Sequence, residues 1–207
     1  MAYDPHVCVV DDDEAVRESL HILLETMGYA IRAYESGIEF LEECVALNAG
    51  CVLLDVRMPK MDGLEVQKHL QIRRPDLPVV VVTGHGDVKM AVQAMKAGAI
   101  DFIEKPFDED ILLTSVRNAL ARAEQVQRRD DETTAIYQRL ERLTPRERDV
   151  FEQLIIGHAN KVIARALDCS PRTVEIHRAR VMEKMEATSV AQLVRMALAA
   201  GINIADD

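Results

Sequence analysis

Tryptophan is absent from this 207-residue chain, and aromatic residues make up only 4% of it. Aliphatic side chains must therefore build whatever cores it has, and a hydrophobic share of 48% is enough to do so without a disordered bias. No apolar run approaches the roughly 20 residues that a membrane-spanning helix needs. The opening "MAYDPH" lacks the basic-then-apolar layout of a secretory signal. The four cysteines, Cys8, Cys44, Cys51 and Cys169, are scattered without CxxC spacing, which argues against a zinc site. Reduced thiols in a cytoplasmic protein are the expectation, with no membrane partner.

What is present is unevenly distributed. The net charge of −10 resides in residues 1–125, with 12 Lys and Arg against 22 Asp and Glu, whereas residues 126–207 hold 13 of each. Six basic residues fall between 161 and 184 (Lys161, Arg165, Arg172, Arg178, Arg180, Lys184), against Asp168, Glu175 and Glu183. The length suits two small domains, and a locally basic segment in the second permits nucleic-acid binding.

The first part alternates in type. "HVCVV" (6–10), "CVLLDV" (51–56), "PVVVVTG" (78–84) and "DFIEK" (101–105) are short aliphatic runs closed by Asp, Gly or Pro, as in parallel strands buried on both faces; "AIRAY" (30–34) is a weaker edge candidate. Amphipathic stretches separate them: "EAVRESLHILLETMG" sets Val16, Leu20, Leu23, Leu24 and Met27 at helical spacing before Gly28. The alternation predicts an α/β doubly wound, five-stranded parallel sheet.

In such sheets functional groups collect beyond the carboxyl ends of the strands. Asp11 and Asp12 follow the first strand, Asp55 ends the third, Thr83 the fourth and Lys105 the fifth, so these residues should converge. Clustered carboxylates call for compensation by a lysine and a hard divalent cation, with Mg²⁺ best suited because it accepts few carboxylates and keeps several waters. An aspartate there can attack a phosphoryl group, and Thr83 can donate to the phosphoryl oxygens. The plainer alternative is a solvated acidic strand end.

"VVDDDE", "LLDVRMPKMDG", "VVTGHGD" and "DFIEKPF" resemble the receiver domain of two-component response regulators over about residues 5–122. The resemblance implies phosphorylation of Asp55 by a cognate sensor histidine kinase. It implies Mg²⁺ held by Asp12, with Asp11 assisting, by Asp55 and by the backbone carbonyl of Arg57. It implies a switch pair of Thr83 and Phe102, Lys105 as the phosphate contact and a cis bond at Lys105-Pro106. Asp13 falls where the family tolerates other residues. Arg57 and His85 flank the site and are candidates for setting the lifetime of the phosphoaspartate.

From 123 to 136 the chain is polar and lacks Gly and Pro, suiting a helical linker that extends the preceding helix. Ile136, Leu140 and Leu143 resume apolar helical spacing. Thr144, Pro145 and Glu147 form a capping-box signature, and Gly157 closes that helix. "NKVIARALD" makes a short helix, Ser170 and Pro171 open a third running to Met185, and "SVAQLVRMALAAG" makes a fourth. Two helices joined by a tight turn, the second rich in arginine, describe a helix-turn-helix. Val174, Val181 and Met185 should face the core. Arg172, Glu175, Ile176, Ala179 and Arg180 are candidates for base edges, with Thr173 also in the contact set; Lys161, Arg178 and Lys184 suit phosphates. A protein-binding helical bundle is the alternative.

Residues 137–202 resemble the four-helix LuxR-type DNA-binding domain. "SPRTVEIHR", "VMEKM" and "GHGDVKMAVQAMKAGAIDFIEKPF" are especially like the FixJ branch of the NarL/FixJ subfamily. Cys169 replaces the more usual aliphatic residue of the turn. The resemblance implies a homodimer formed on phosphorylation, with Val92 and Lys96 as interface candidates. It implies binding to a two-fold-related site on double-stranded DNA and activation of transcription through RNA polymerase. A Mg²⁺-dependent phosphohydrolase is disfavoured: phosphotransferases of the haloacid dehalogenase type need a second acid two residues after the nucleophile, and here that position is Arg57, which transfers no proton at neutral pH.

Overall fold

The computed structural model describes residues 6–47, 49–84 and 87–202, with the backbone alone at Ala49. Five strands, β1 (His6–Val10), β2 (Ala30–Tyr34), β3 (Ala49–Leu54), β4 (Val79–Thr83) and β5 (Asp101–Glu104), alternate with α1 (Glu14–Thr26), α2 (Gly37–Glu43), α3 (Gly63–Arg73), α4 (Val88–Lys96) and α5 (Glu109–Glu141). All strand pairs are parallel, in the order β2-β1-β3-β4-β5. The order reverses at β1, which brings the carboxyl ends of β1 and β3 side by side.

Strand alternation divides the apolar residues between two layers. Val7, Val9, Cys51, Leu53, Val80 and Val82 pack with Leu20 and Leu24 of α1 and Leu112 and Val116 of α5. Cys8, Val10, Val52, Leu54 and Val81 face the other way, onto Phe40 of α2, Val66 and Leu70 of α3 and Ala94 of α4. Both faces of the inner strands are covered, so β1, β3 and β4 read as continuous apolar runs rather than alternating ones, whereas the edge strand β2 keeps Arg32 and Ala33 exposed.

Boundaries differ from the sequence reading in small ways. β3 begins two residues earlier than expected and ends at Leu54, so Asp55 lies just beyond it, and Lys105 lies just beyond β5. Met27 shares the helical spacing of Leu20 and Leu24, yet it is the C-cap of α1 and 49% exposed, because the helix ends there at the surface.

The chain divides into two compact units, 1–127 and 128–207. Residues 123–136 lie within α5. The second unit continues through α6 (Pro145–Ile156), α7 (Asn160–Ala166), α8 (Pro171–Lys184) and α9 (Val190–Ala199). Ile136 and Leu140 from α5, with Leu143 in the turn just after it, pack with Val150, Phe151, Leu154, Ile163, Val174, Val181, Met185 and Leu193. Thr144 and Glu147 close a reciprocal capping box, Gly157 ends α6 at φ 102°, and Ser170 caps α8 by accepting from Thr173 N. Among the described residues no helix is long and apolar enough to cross a membrane.

Candidate functional site

Three strand ends meet at one ammonium. Asp11 and Asp55 follow β1 and β3 and are joined through the sheet, since Asp55 N donates to Val10 O at 2.9 Å. Lys105 follows β5, and its backbone N donates to Thr83 O at 2.9 Å. Lys105 Nζ lies 2.5 Å from Asp11 Oδ2 and 3.3 Å from Asp55 Oδ1. Both carboxylates are buried, at 3% and 6% exposure. Burial pushes the Asp11 carboxyl up, and the hydrogen bond from Lys105 opposes that shift. Gly63 opens α3 directly against this loop, with its N donating to Val56 O at 2.8 Å. A Cβ there would collide with the Asp55 carbonyl oxygen, so the "MDG" of the sequence is a close-approach glycine.

The three consecutive aspartates have three different positions. Asp11 joins the buried junction. Asp12 is exposed at its rim. Asp13 caps α1, accepting from Ala15 N at 2.9 Å and Val16 N at 3.4 Å. The junction therefore gathers Asp11 rather than Asp12 around Lys105. The Lys105-Pro106 bond is cis. The Arg57 side chain is exposed; His85 lies outside the described residues.

Two buried carboxylates against one ammonium leave a formal negative charge, which a further cation would offset. Among the described residues no group of three or more His, Cys, Asp or Glu is gathered for a metal. Mg²⁺ commonly takes only one or two carboxylates together with waters and phosphate oxygens. The hard oxygens of Asp11 and Asp55, with Asp12 at the rim, fit that requirement.

Thr83 is fully buried, and its Oγ1 has no hydrogen-bond partner. An unpaired buried hydroxyl is costly, so a functional reason is needed. In the β4–β5 register Val81 lies opposite Phe102 and Thr83 opposite Glu104. Alternation then sets Thr83 and Phe102 on one face of the sheet, two residues apart along it. Phe102 is only partly buried there. On α4, Val92 is 47% exposed and Lys96 is exposed; Val88 and Met95, also exposed, extend Val92 into an apolar strip at helical spacing. That strip was legible in "VKMAVQAMK", although only Val92 was singled out.

In the second unit, Arg172, Glu175, Ile176, Ala179 and Arg180 are all exposed on α8, and Lys161 is exposed on α7. Val174 and Val181 are fully buried on its opposite side. Thr173 is half-buried and tied into the cap, its hydroxyl 2.8 Å from Ser170 Oγ. Arg178 Nη1 donates to Asn160 Oδ1 at 3.2 Å, linking α8 to α7. Lys184 departs from its expected role as a free phosphate contact. Its Nζ lies 2.5 Å from Glu147 Oε2 and donates to Arg142 O at 3.0 Å, because the buried Glu147 carboxylate needs a cation. Spacing could not have revealed this pair.

Residues 7–117 match the family described as "Response regulator receiver domain", and residues 141–197 match "Bacterial regulatory proteins, luxR family". The transcriptional regulatory protein FixJ of Azorhizobium caulinodans is 51% identical over 201 residues, covering 97% of this chain and 95% of that protein. The solved structure of the response regulator StyR is 39% identical with a TM-score of 0.79, covering 94% of this chain and 98% of that one. Full-length FixJ from B. japonicum is 45% identical with a TM-score of 0.58, covering 96% and 98%. Their names describe regulators rather than enzymes, and the receiver is a phosphoacceptor. The chain belongs to the FixJ-like response regulators, transcription regulators of two-component systems that join a receiver to a LuxR-type DNA-binding domain.

Proposed function

We propose that Asp55 accepts a phosphoryl group from the phosphohistidine of a cognate sensor kinase, and that acceptance drives receiver dimerisation and activates transcription from a two-fold-related DNA site. The observation that carries this reading is the sharing of Lys105 between two buried carboxylates, Asp11 and Asp55. A carboxylate oxygen of Asp55 attacks phosphorus; the new O–P bond forms as the N–P bond breaks, and the departing imidazole keeps the electron pair. Lys105 offsets charge on the incoming oxygens. The unpaired hydroxyl of Thr83 supplies a donor to them. Asp11, Asp12, Asp55 and the backbone carbonyl of Arg57 would hold Mg²⁺, which would supply neutralising charge for the transferred group.

Movement of Thr83 towards the phosphoryl group frees space that Phe102 takes, and this repacking biases α4 and β5 between two arrangements. The exposed strip around Val92, with Lys96 beside it, is then the dimer face. We assign residues 5–122 to the receiver, 123–136 to the linker and 137–202 to the DNA-binding domain. A dimer presents two α8 helices to successive half-sites, where base contacts come from Arg172, Glu175, Ile176, Ala179 and Arg180. RNA polymerase is the partner for activation, and the compartment is the cytoplasm.

Light scattering with Mg²⁺ and a small phosphoryl donor tests the reading, comparing wild type with Asp55→Ala. The expected result is a monomer-to-dimer shift in wild type alone, with mass spectrometry locating the phosphoryl group on Asp55. Absence of phosphate from Asp55 would overturn it.

A further inference from the structure

A helix ends with carbonyls that have no partner within it, and something outside must satisfy them. At the end of α4 the following backbone satisfies some of them, with Gly98 N donating to Met95 O at 3.0 Å, and α3 supplies further donors to two others. Gln67 Nε2 donates to Ala94 O at 3.1 Å and to Ala97 O at 2.9 Å. Gln71, one turn further along α3, also donates from Nε2 to Ala97 O. Spacing of four residues sets the two amides on one face of α3.

Gln67 is 1% exposed, and a buried amide is costly unless bonded. Its two carbonyl neighbours use both hydrogens of the NH₂ group, while Oε1 has no protein partner. The clamp is thus selected for its donors. Gly98, at φ 89°, makes room for it: a Cβ at that position would collide with the Gln71 amide nitrogen. Beyond the clamp the chain is anchored again, with Ala99 N donating to Ala94 O at 3.0 Å and Ile100 N to Val79 O at 2.8 Å.

The other end of α4 is held differently. Asp87 caps the helix from within, accepting from Met90 N at 2.6 Å, and Val88 is 82% exposed. That end is also the one that follows Thr83 in the chain. A rod fixed at one end and displaced at the other pivots about the fixed end.

We infer that Gln67 and Gln71 are the hinge of α4: they hold its C-terminal turn in both states, so that displacement from Thr83 becomes a rotation of the helix. They are positioning residues, and the inference rests on the phosphorylation-driven dimerisation proposed above.

Hydrogen exchange and light scattering on the full chain, with and without Mg²⁺ and a small phosphoryl donor, test it on wild type, Gln67→Leu and Gln71→Ala. In wild type, phosphorylation should alter exchange over residues 87–91 and leave 97–100 unchanged. In Gln67→Leu, exchange over 97–100 should rise about 10-fold in both states, the loss expected for roughly one hydrogen bond. Dimerisation per phosphorylated chain should weaken about 10-fold, with Gln71→Ala intermediate. Leu112→Ala, a core change away from the clamp, should lower stability without altering dimerisation per phosphorylated chain. A wild-type change at 97–100 as large as at 87–91 would overturn the hinge. So would wild-type dimerisation by a folded, equally phosphorylated Gln67→Leu. Failure of wild type to dimerise when phosphorylated would instead remove the reading beneath it, and the hinge with it.

Discussion

Lys184 Nζ lies 2.5 Å from Glu147 Oε2, across 37 positions of the chain. The same carboxylate oxygen accepts from Thr144 N at 2.9 Å as half of the capping box. Glu147 is only 2% exposed. One residue thus closes the start of α6 and ties it to the end of α8, the helix that carries the exposed arginines. The Lys184 hydrogen bond is the largest cause, followed by the Thr144 backbone N–H, that holds the Glu147 carboxyl down at about 2.

Acid should therefore loosen the second unit in a defined window. Glu147 has a lower pKa folded than unfolded, so its contribution is full above the unfolded value of about 4.3 and disappears as pH falls through about 2. Urea titrations followed by methyl NMR signals of Val174 and Val181 should show stability falling across that window, and more weakly in Glu147→Gln. Lys184→Met should cost about 2–3 kcal/mol at neutral pH. That is less than removal of a partner from a fully buried pair, because Lys184 keeps 32% of its side chain in water.

Much of this was legible from sequence where chemistry is local. Thr144-Pro145 with Glu147, and Ser170-Pro171, carry their caps within four residues. The strand runs were legible because both faces of the sheet are covered, and the convergence of Asp11, Asp55 and Lys105 because parallel topology aligns strand ends. Adjacent identical residues were harder. Only backbone direction distinguishes Asp13 as a cap from Asp12 at the rim and Asp11 within. Long-range partners were out of reach: nothing in the spacing joins Lys184 to Glu147, or Gln67 to Ala97. Met27 has the helical spacing of a core residue, yet sits where α1 stops.

Thr83→Val should separate stability from switching. The hydroxyl is buried without a partner, so an isosteric methyl should stabilise the unphosphorylated receiver by about 1 kcal/mol. The same change removes the donor proposed for the phosphoryl oxygens. Chemical denaturation should show the gain, and light scattering of equally phosphorylated samples should show weaker dimerisation.

Thiol labelling should distinguish the four cysteines. Cys8, Cys44 and Cys51 are fully buried, and burial pushes the Cys8 thiol up to about 12 and the Cys51 thiol higher still. Only thiolates react readily. At neutral pH a thiol-exchange reagent should therefore modify the partly exposed Cys169 first, and the other three together with global unfolding. Fast labelling of Cys8 in native protein would contradict the packing of β1.

The exposed face of α8 allows a sharper test, because phosphate and base contacts respond differently to salt. Lys161 is exposed and not engaged with Glu147, so Lys161→Ala should weaken binding to cognate and random duplexes alike and reduce the salt slope by about 1. Arg180→Ala should cost about 1–3 kcal/mol on the cognate site and relax sequence preference if it grips a guanine. Ile176 is 50% exposed, so Ile176→Ala should leave stability nearly unchanged while lowering the ratio of cognate to random affinity. Lys184→Gln is the internal control, since that ammonium is already committed to Glu147. Fluorescence anisotropy across a salt series should find its slope equal to wild type. A slope reduced as much as by Lys161→Ala would mean that Lys184 leaves Glu147 for the DNA backbone.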